Sequence, residues 1–229
     1  ACAMAGIISG VIMGSGLGYR ISSILTSVAG TSMLLLLVLT MVVSLIMGMG
    51  VPTTAAYLVL ASLVAPTMIQ LGIPPLAAHM FIFYFGCISS ITPPVALAAY
   101  AGAGLAGCDP NKTGYKAFRL AFCSFLMPYL FVYNPVLLME GGVLDILWSL
   151  VTALIGAYLL ASGFEGFFFR WSLKWFERPL MILGAVMLIV PGMVTDLVGI
   201  AIIVVEFVTE FMFKRSEKFV PVTVSQSTT

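Results

Sequence analysis

The stretch GCISSITPPVALAA, residues 86–99, decides the architecture of this chain. It lies within an apolar region, residues 21–108, that contains no Asp, Glu, Lys or Arg. The adjacent Pro93 and Pro94 remove two backbone N–H donors and block the continuation of a helix that arrives from the N-terminal side. The sequence therefore predicts that a helix is broken here.

The composition indicates what surrounds this break. The chain has 229 residues, of which 61% are hydrophobic and 8% are charged, whereas a soluble domain carries about 25% charged residues. We therefore expect an all-α polytopic membrane protein in contact with the lipid bilayer, since helices satisfy their own backbone groups in lipid. A net charge of +1 gives no indication of nucleic-acid binding, so no nucleic-acid partner is expected.

A second interruption, GMGVPTT at residues 48–54, precedes the Pro-Pro break. The apolar runs on either side, residues 33–47 and 55–69, are short compared with the ~20 residues of a full span. Two short helices joined by a Gly/Pro turn predict a re-entrant hairpin over residues 31–70.

The lengths of the apolar runs and the positions of the prolines suggest the remaining boundaries. Residues 75–105 would measure about 46 Å as one straight helix, so we predict a broken helix there, followed by a helix over residues 117–140 that is kinked near Pro128. These elements form a first region, residues 1–142. Accessory membrane helices are expected at 143–213, and a polar tail at 214–229.

The residue types at the breaks suggest ion binding. Unwound backbone and half-helix ends in membrane proteins serve as ion and substrate ligands near the midplane. The region lacks carboxylates, so its oxygen ligands can only be backbone carbonyls, Ser/Thr hydroxyls or waters, which suit Na⁺ better than divalent cations. Proton coupling normally uses an intramembrane Asp, Glu or His, and here only His79 is available. Na⁺ is the favoured coupling ion, and H⁺ is the alternative.

The same breaks suggest an anionic substrate. Half-helices are predicted to begin after Pro52 and at Pro93-Pro94, and helix N-termini attract anions. Catalysis is not indicated, because the chain has no HExxH motif, and Ser15 and His79 are better explained by helix packing and a helix-terminal histidine than by a catalytic dyad. We therefore expect no enzymatic activity and no cofactor other than the ion.

Three segments carry a family resemblance: GMGVPTTAAYLVLASLVAP, LGIPPLAAHMFIFYFGCISSITPPVALAAYAGAGLAGCDPNKTGYKAFRLAF and PYLFVYNPVLLM. Over residues 1–140 the chain resembles the large membrane subunit of the TRAP (tripartite ATP-independent periplasmic) transporters. More narrowly, it resembles permeases in which the small and large subunits are fused. Residues 143–213 resemble the extra C-terminal helices of the fused form.

This resemblance implies a function. It implies the permease component of a secondary transporter in the cytoplasmic (inner) membrane of a bacterium or archaeon. Such a permease imports organic anions such as carboxylates, which a periplasmic binding protein delivers, and it uses a Na⁺ gradient. The alternatives are a proton-coupled carrier of the same fold and a membrane scaffold that does not transport.

The resemblance also implies a fold. The implied fold is an inverted repeat that works as an elevator, each half having a re-entrant hairpin and a discontinuous helix. Residues 1–142 correspond to the C-terminal repeat. We therefore expect an upstream permease region that is missing from this chain.

The family motifs map onto specific residues. The implied ion-binding set is Gly48, Gly50, Gly86, Ser89, Ser90, Thr92 and Pro93, and the implied substrate-proximal set is Val51, Pro52, Thr53 and Thr54. Na⁺ is expected at the Thr92 hydroxyl and at carbonyls around Gly48, Gly50 and Gly86. Simpler explanations remain open: Thr92 as a helix cap, Ser89 and Ser90 bonded to helix carbonyls, and the glycines as tight-turn residues.

Overall fold

The computed structural model describes residues 6–7, 10–11, 14–30, 32–168, 171–190 and 192–213. The chain divides into two compact units, Ala1–Ile146 and Leu147–Thr229. The predicted polar tail, residues 214–229, lies outside the described residues. Apart from one short β-hairpin, the regular structure of the described residues is helical, which confirms the all-α expectation.

The first unit is built from short helices. They are α1 Leu17–Ala29, α2 Met33–Gly48, α3 Thr53–Leu63, α4 Ala65–Gln70, α5 Pro75–Ile88, α6 Leu97–Ala106, α7 Pro110–Ala121 and α8 Met127–Tyr133, with 3₁₀ turns at Ser89–Ile91, Phe122–Phe125 and Pro135–Leu138.

The second unit contains most of α9, Val143–Glu165, which begins just before the boundary between the units. It continues with an antiparallel hairpin of β1, Phe167–Phe168, and β2, Trp171–Ser172. Helices α10, Glu177–Ile189, and α11, Met193–Phe213, complete it. Within the described residues, α9 is the one helix both long and apolar enough to cross a membrane, and α2 and α6 are among the shorter apolar helices.

The Gly/Pro turn lies between α2 and α3. Gly50 has a φ of 78°, a left-handed conformation that glycine adopts without steric cost. The second arm differs from the single helix expected over residues 55–69, because it divides at Val64 into α3 and α4. Pro66 follows this point and has no N–H to bond back to the preceding turn.

The Pro-Pro break separates α5 from α6. Thr92 is extended, with φ −93° and ψ 124°, and Ala96 is left-handed with a φ of 32°. We expected the second half-helix to begin at Pro93-Pro94, but it begins at Leu97. The reason is that left-handed Ala96 ends the turn over residues 92–96 before helical backbone resumes.

The helix predicted over residues 117–140 is divided. Helix α7 already begins at Pro110, because Asp109 caps it by accepting a 2.9 Å hydrogen bond from the Lys112 amide. A 3₁₀ turn then precedes α8, whose second residue is Pro128, and Pro135 opens the last 3₁₀ turn. Asp109 and the three prolines, Pro110, Pro128 and Pro135, therefore determine where these helices begin and end.

Helix α5, which leads into the break, is the centre of the first unit. Its Phe81 and Phe85 are fully buried and lie 4.9 Å apart between ring centroids. Tyr129 of α8 packs edge-on against Phe81 at 5.3 Å. Helices α2, α3 and α8 all contact α5, so the break is attached to the best-packed element of the unit.

Candidate functional site

The tip of the hairpin and the Pro-Pro break lie against each other. A Cβ atom added at Gly48 would lie 2.5 Å from Ser89 Oγ and 3.5 Å from the Gly86 Cα. A Cβ at Gly50 would lie 3.9 Å from a methyl group of Val95. The fold therefore brings together residues that are some forty positions apart in the sequence. Four of them, Gly48, Gly50, Gly86 and Ser89, belong to the implied ion-binding set.

The three hydroxyls at the break bond back to α5. Ser89 Oγ donates to the Gly86 carbonyl at 2.6 Å, Ser90 Oγ to the Cys87 carbonyl at 2.7 Å and Thr92 Oγ1 to the Ile88 carbonyl at 2.9 Å. A hydroxyl has one proton and two lone pairs. Each oxygen therefore keeps lone pairs that a cation can use. Back-bonding fixes where these oxygens lie.

Thr92 does not cap the second half-helix. The residue before α6 is Ala96, and no side chain in the described part of the chain caps this helix end. The Thr92 carbonyl accepts a 3.1 Å hydrogen bond from the Ala96 amide, while its hydroxyl points back to α5. Tyr100 of α6 closes the turn by donating to the Pro94 carbonyl at 2.9 Å.

Burial divides the implied residues into two groups. Ser89 is 1% exposed and Thr92 is 9% exposed, and Gly48 and Gly86 are buried beside them. Ser90 and Pro93 are half-buried. The tip residues are exposed, and they are Gly50, Val51, Pro52, Thr53 and Thr54. A buried group of hydroxyl-bearing and glycine residues therefore adjoins an exposed tip.

The potential ligand atoms at this junction are uncharged oxygens. Residues 86–96 and 48–54 contain no ionisable side chain other than the Cys87 thiol. Among the described residues, no group of three or more His, Cys, Asp or Glu side chains is placed to hold a metal ion. The hydroxyls and carbonyls of the break suit a monovalent cation better than a divalent one.

Two features were not predicted from the sequence. Tyr57 of α3 and His79 of α5 are joined by a hydrogen bond of 3.0 Å between the hydroxyl and Nδ1. Thr40 and Ser44 of α2 are buried, and their hydroxyls have no hydrogen-bond partner among the described residues. The pairing of α3 with α5 has no signal in the sequence, whereas the spacing of Thr40, Ser44 and Gly48 on one helix face is a signal that could have been used.

Broken helices that gather carbonyls and hydroxyls inside an apolar, mainly helical protein are typical of membrane transport proteins. Residues 1–146 match the family described as tripartite ATP-independent periplasmic transporter, DctM component. The chain belongs to this family, so it is a membrane-integral component of a TRAP-type transporter, which is not an enzyme family. None of the curated proteins and none of the solved structures matches the chain.

The matched region contains the whole junction of tip and break and ends where the first compact unit ends. Residues 147–229 lie outside the match.

Proposed function

We propose that this chain is part of the permease of a Na⁺-coupled secondary transporter that imports organic anions such as carboxylates. In this proposal a periplasmic binding protein delivers the substrate, and the permease crosses the cytoplasmic membrane several times. The observation that carries the proposal is the contact between Gly48 at the hairpin tip and Ser89 at the helix break.

The ion is assigned to the buried side of this junction. Thr92 Oγ1 and the Gly86 carbonyl lie in the same buried stretch as Ser89. Neutral oxygens of this kind compensate a dehydrated Na⁺ without the strong field that a carboxylate would add. Carbonyls of Gly48 and Gly50 would complete the ligand set from the hairpin tip.

The substrate is assigned to the exposed side. Helix α3 begins at Thr53, so its first N–H groups and the hydroxyls of Thr53 and Thr54 lie at the exposed tip. A helix N-terminus stabilises negative charge through its unpaired N–H groups. Ion and anion would then bind on opposite sides of one short turn, and each would favour the binding of the other.

A re-entrant hairpin explains the helix lengths. Helix α2 has 16 residues, about 24 Å, and it is followed at once by the turn and α3. An arm of this length falls short of the ~30 Å hydrocarbon core. In the proposed elevator mechanism this hairpin and the broken helix move together, and residues 143–213 are accessory.

Reconstituted transport tests the proposal. The intact transporter is placed in proteoliposomes with its binding protein, and uptake of a set of labelled organic acids is compared under an inward Na⁺ gradient and an inward choline gradient. We expect accumulation only with Na⁺. Equal uptake with both gradients, or uptake that follows a pH gradient alone, would contradict Na⁺ coupling.

The hydrogen bond between Tyr57 and His79 supports proton coupling as a second candidate. It joins the sole histidine of the chain to a tyrosine, in a half-buried position between α3 and α5. His79→Gln separates the two candidates. If Na⁺ drives transport, the Na⁺-driven uptake of the variant should stay within about twofold of the wild type, because the change costs one ordinary hydrogen bond of about 0.5–1.5 kcal/mol. Loss of uptake driven by a pH gradient would instead favour proton coupling.

A further inference from the structure

Helix α7 carries most of the positive charge of the first unit, and the proposed ion and substrate sites do not use it. Of the four Lys and Arg residues in the sequence of this unit, three belong to α7, and they are Lys112, Lys116 and Arg119. We call them the basic face. The one carboxylate in the sequence between residues 21 and 139 is that of Asp109, which caps the start of α7. The helix therefore keeps a net positive charge.

The three cations share one side of the helix. Their spacing of four and three residues places them within an arc of about 60° at 3.6 residues per turn, and all three residues are exposed. The opposite side packs on the protein. There Gly114 is buried, and Phe118 packs edge-on against Phe125 at 5.4 Å between ring centroids. The basic face is therefore directed away from the packed interior of the unit.

Exposed apolar side chains surround the basic face. Leu105, close to the end of α6, is 93% exposed, and Tyr115 and Leu120 on α7 itself are 68% and 70% exposed. In a membrane-integral protein, large apolar side chains that no protein atom covers are suited to contact with acyl chains. Cations flanked by leucine and tyrosine are typical of helices that lie where the acyl chains meet the headgroups.

We propose that the basic face of α7 binds the headgroups of anionic phospholipids. The phosphate oxygens accept hydrogen bonds from the two lysine ammonium groups and from the arginine guanidinium group, which can bind in a bidentate manner. Each Lys or Arg at an anionic membrane surface strengthens binding about fivefold. The occupant is a lipid rather than a soluble anion because the apolar residues beside the cations contact the acyl chains of the same molecules.

The position of α7 gives this contact a consequence for the helix break. A Cβ at Gly114 would lie 3.0 Å from Tyr100 Cε1 and 3.6 Å from the Ala96 Cβ. Ala96 ends the turn that follows the break, and the Tyr100 hydroxyl donates to the Pro94 carbonyl of the same turn. Headgroups that hold α7 would therefore also stabilise the turn against which α7 packs.

A lipid titration tests this proposal. The intact transporter is purified in a neutral detergent, and its melting temperature is measured in choline chloride, without Na⁺, as phosphatidylglycerol or phosphatidylcholine is added. We expect phosphatidylglycerol to stabilise the wild type at a lower concentration than phosphatidylcholine does. Lys112→Gln/Lys116→Gln should raise the midpoint for phosphatidylglycerol about 25-fold, which is fivefold for each charge removed. The midpoint for phosphatidylcholine should not change.

Two controls separate the basic face from charge in general. Lys112→Arg/Lys116→Arg retains both charges and should keep the wild-type midpoint. Lys174→Gln removes one exposed charge from the second unit and should also keep it. Inorganic phosphate alone should not stabilise the wild type, and stabilisation equal to that by phosphatidylglycerol would overturn the assignment to a lipid.

The remaining outcomes are decisive in either direction. Equal midpoints of the wild type for the two lipids would overturn the proposal. So would a Lys112→Gln/Lys116→Gln variant that melts at a lower temperature but keeps the wild-type midpoint for phosphatidylglycerol, because its lysines would then pair with protein groups. Should this variant not fold, Lys116→Gln alone should raise the midpoint about fivefold, and an unchanged midpoint would overturn the proposal. Since no Na⁺ is present, a failure of Na⁺ coupling leaves this test unaffected.

Discussion

Glycines permit close helix contacts in both units of this molecule, but the atoms that they meet differ. In the first unit a Cβ at Gly48 would meet the Ser89 hydroxyl at 2.5 Å. In the second unit a Cβ at Gly199 would meet Leu188 Cγ at 2.7 Å and the Gly184 carbonyl at 3.1 Å. The first contact joins two interrupted helices at a polar junction. The second packs two neighbouring helices, α10 and α11.

The comparison shows that close approach by itself does not identify a site. Small residues at helix contacts are common in membrane proteins because they let backbones come together. At Gly156 in the second unit, a Cβ would likewise meet an Ile189 side chain at 2.5 Å. What distinguishes Gly48 is that its neighbours are a hydroxyl and the last turns of α5, directly before the break. The family match covers that unit and not the other.

Gly48→Ala should have the largest effect. The added methyl group cannot fit without moving Ser89, which is backbone-anchored through its bond to the Gly86 carbonyl. We expect the free energy of unfolding to fall by about 1–3 kcal/mol and Na⁺-driven uptake to be lost. Thermal unfolding and uptake in proteoliposomes measure the two effects.

Gly102→Ala in α6 is the control for this change. No atom of the described residues lies within 4 Å of a Cβ placed at Gly102, and alanine favours a helix over glycine by about 0.5–1 kcal/mol. Its stability should stay equal or rise, and its uptake should stay unchanged. Wild-type uptake by Gly48→Ala would show that the contact with Ser89 is not part of an ion site.

Gly199→Ala should destabilise the second unit without changing the response to Na⁺. Its Cβ would press on the backbone at the Gly184 carbonyl and on the Leu188 amide, both 3.1 Å away, and backbone cannot move aside as a side-chain end can. We expect a loss of about 1–3 kcal/mol in unfolding free energy. Titrating the melting temperature with NaCl should give the wild-type midpoint, and a shifted midpoint would show that the second unit takes part in ion binding.

Asp109→Ala should have the smallest effect. It removes the side-chain oxygen that caps α7 by accepting from the Lys112 amide at 2.9 Å. Loss of an N-cap costs about 1 kcal/mol. The unfolding free energy should fall by that amount in a denaturant titration, with Asp109→Asn as a capping control that retains most of the stability. Na⁺ binding should be unaffected in both variants, and a loss of binding would extend the ion site beyond the junction.

Local chemistry made the interruptions predictable. Gly50 and Pro52 mark the hairpin turn, and Pro93-Pro94 marks the broken helix, because glycine and proline act on their own backbone whatever surrounds them. The start of α7 at Pro110 also had a local signal, Asp109 followed by proline, although the helix was expected only from residue 117.

Other features depend on tertiary structure and had no comparable signal. Nothing local requires Ala96 to adopt a left-handed conformation, and the start of α6 therefore moved to Leu97. The contact of Gly48 with Ser89 joins two separate helices, so it follows from how α2 packs on α5 rather than from either motif. The unpaired state of Thr40 and Ser44 likewise depends on the neighbouring helices.

The central claim is that a Na⁺ ion binds at the helix break beside the hairpin tip, with Thr92 among its ligands. The most direct test compares the melting temperature of the intact transporter in NaCl and in choline chloride at equal ionic strength, for the wild type and Thr92→Ala. A ligand bound only to the folded state adds about 2.7 kcal/mol at a hundredfold excess over Kd. We predict that NaCl specifically stabilises the wild type and that Thr92→Ala loses this stabilisation. Equal melting temperatures of the wild type in the two salts would contradict the claim.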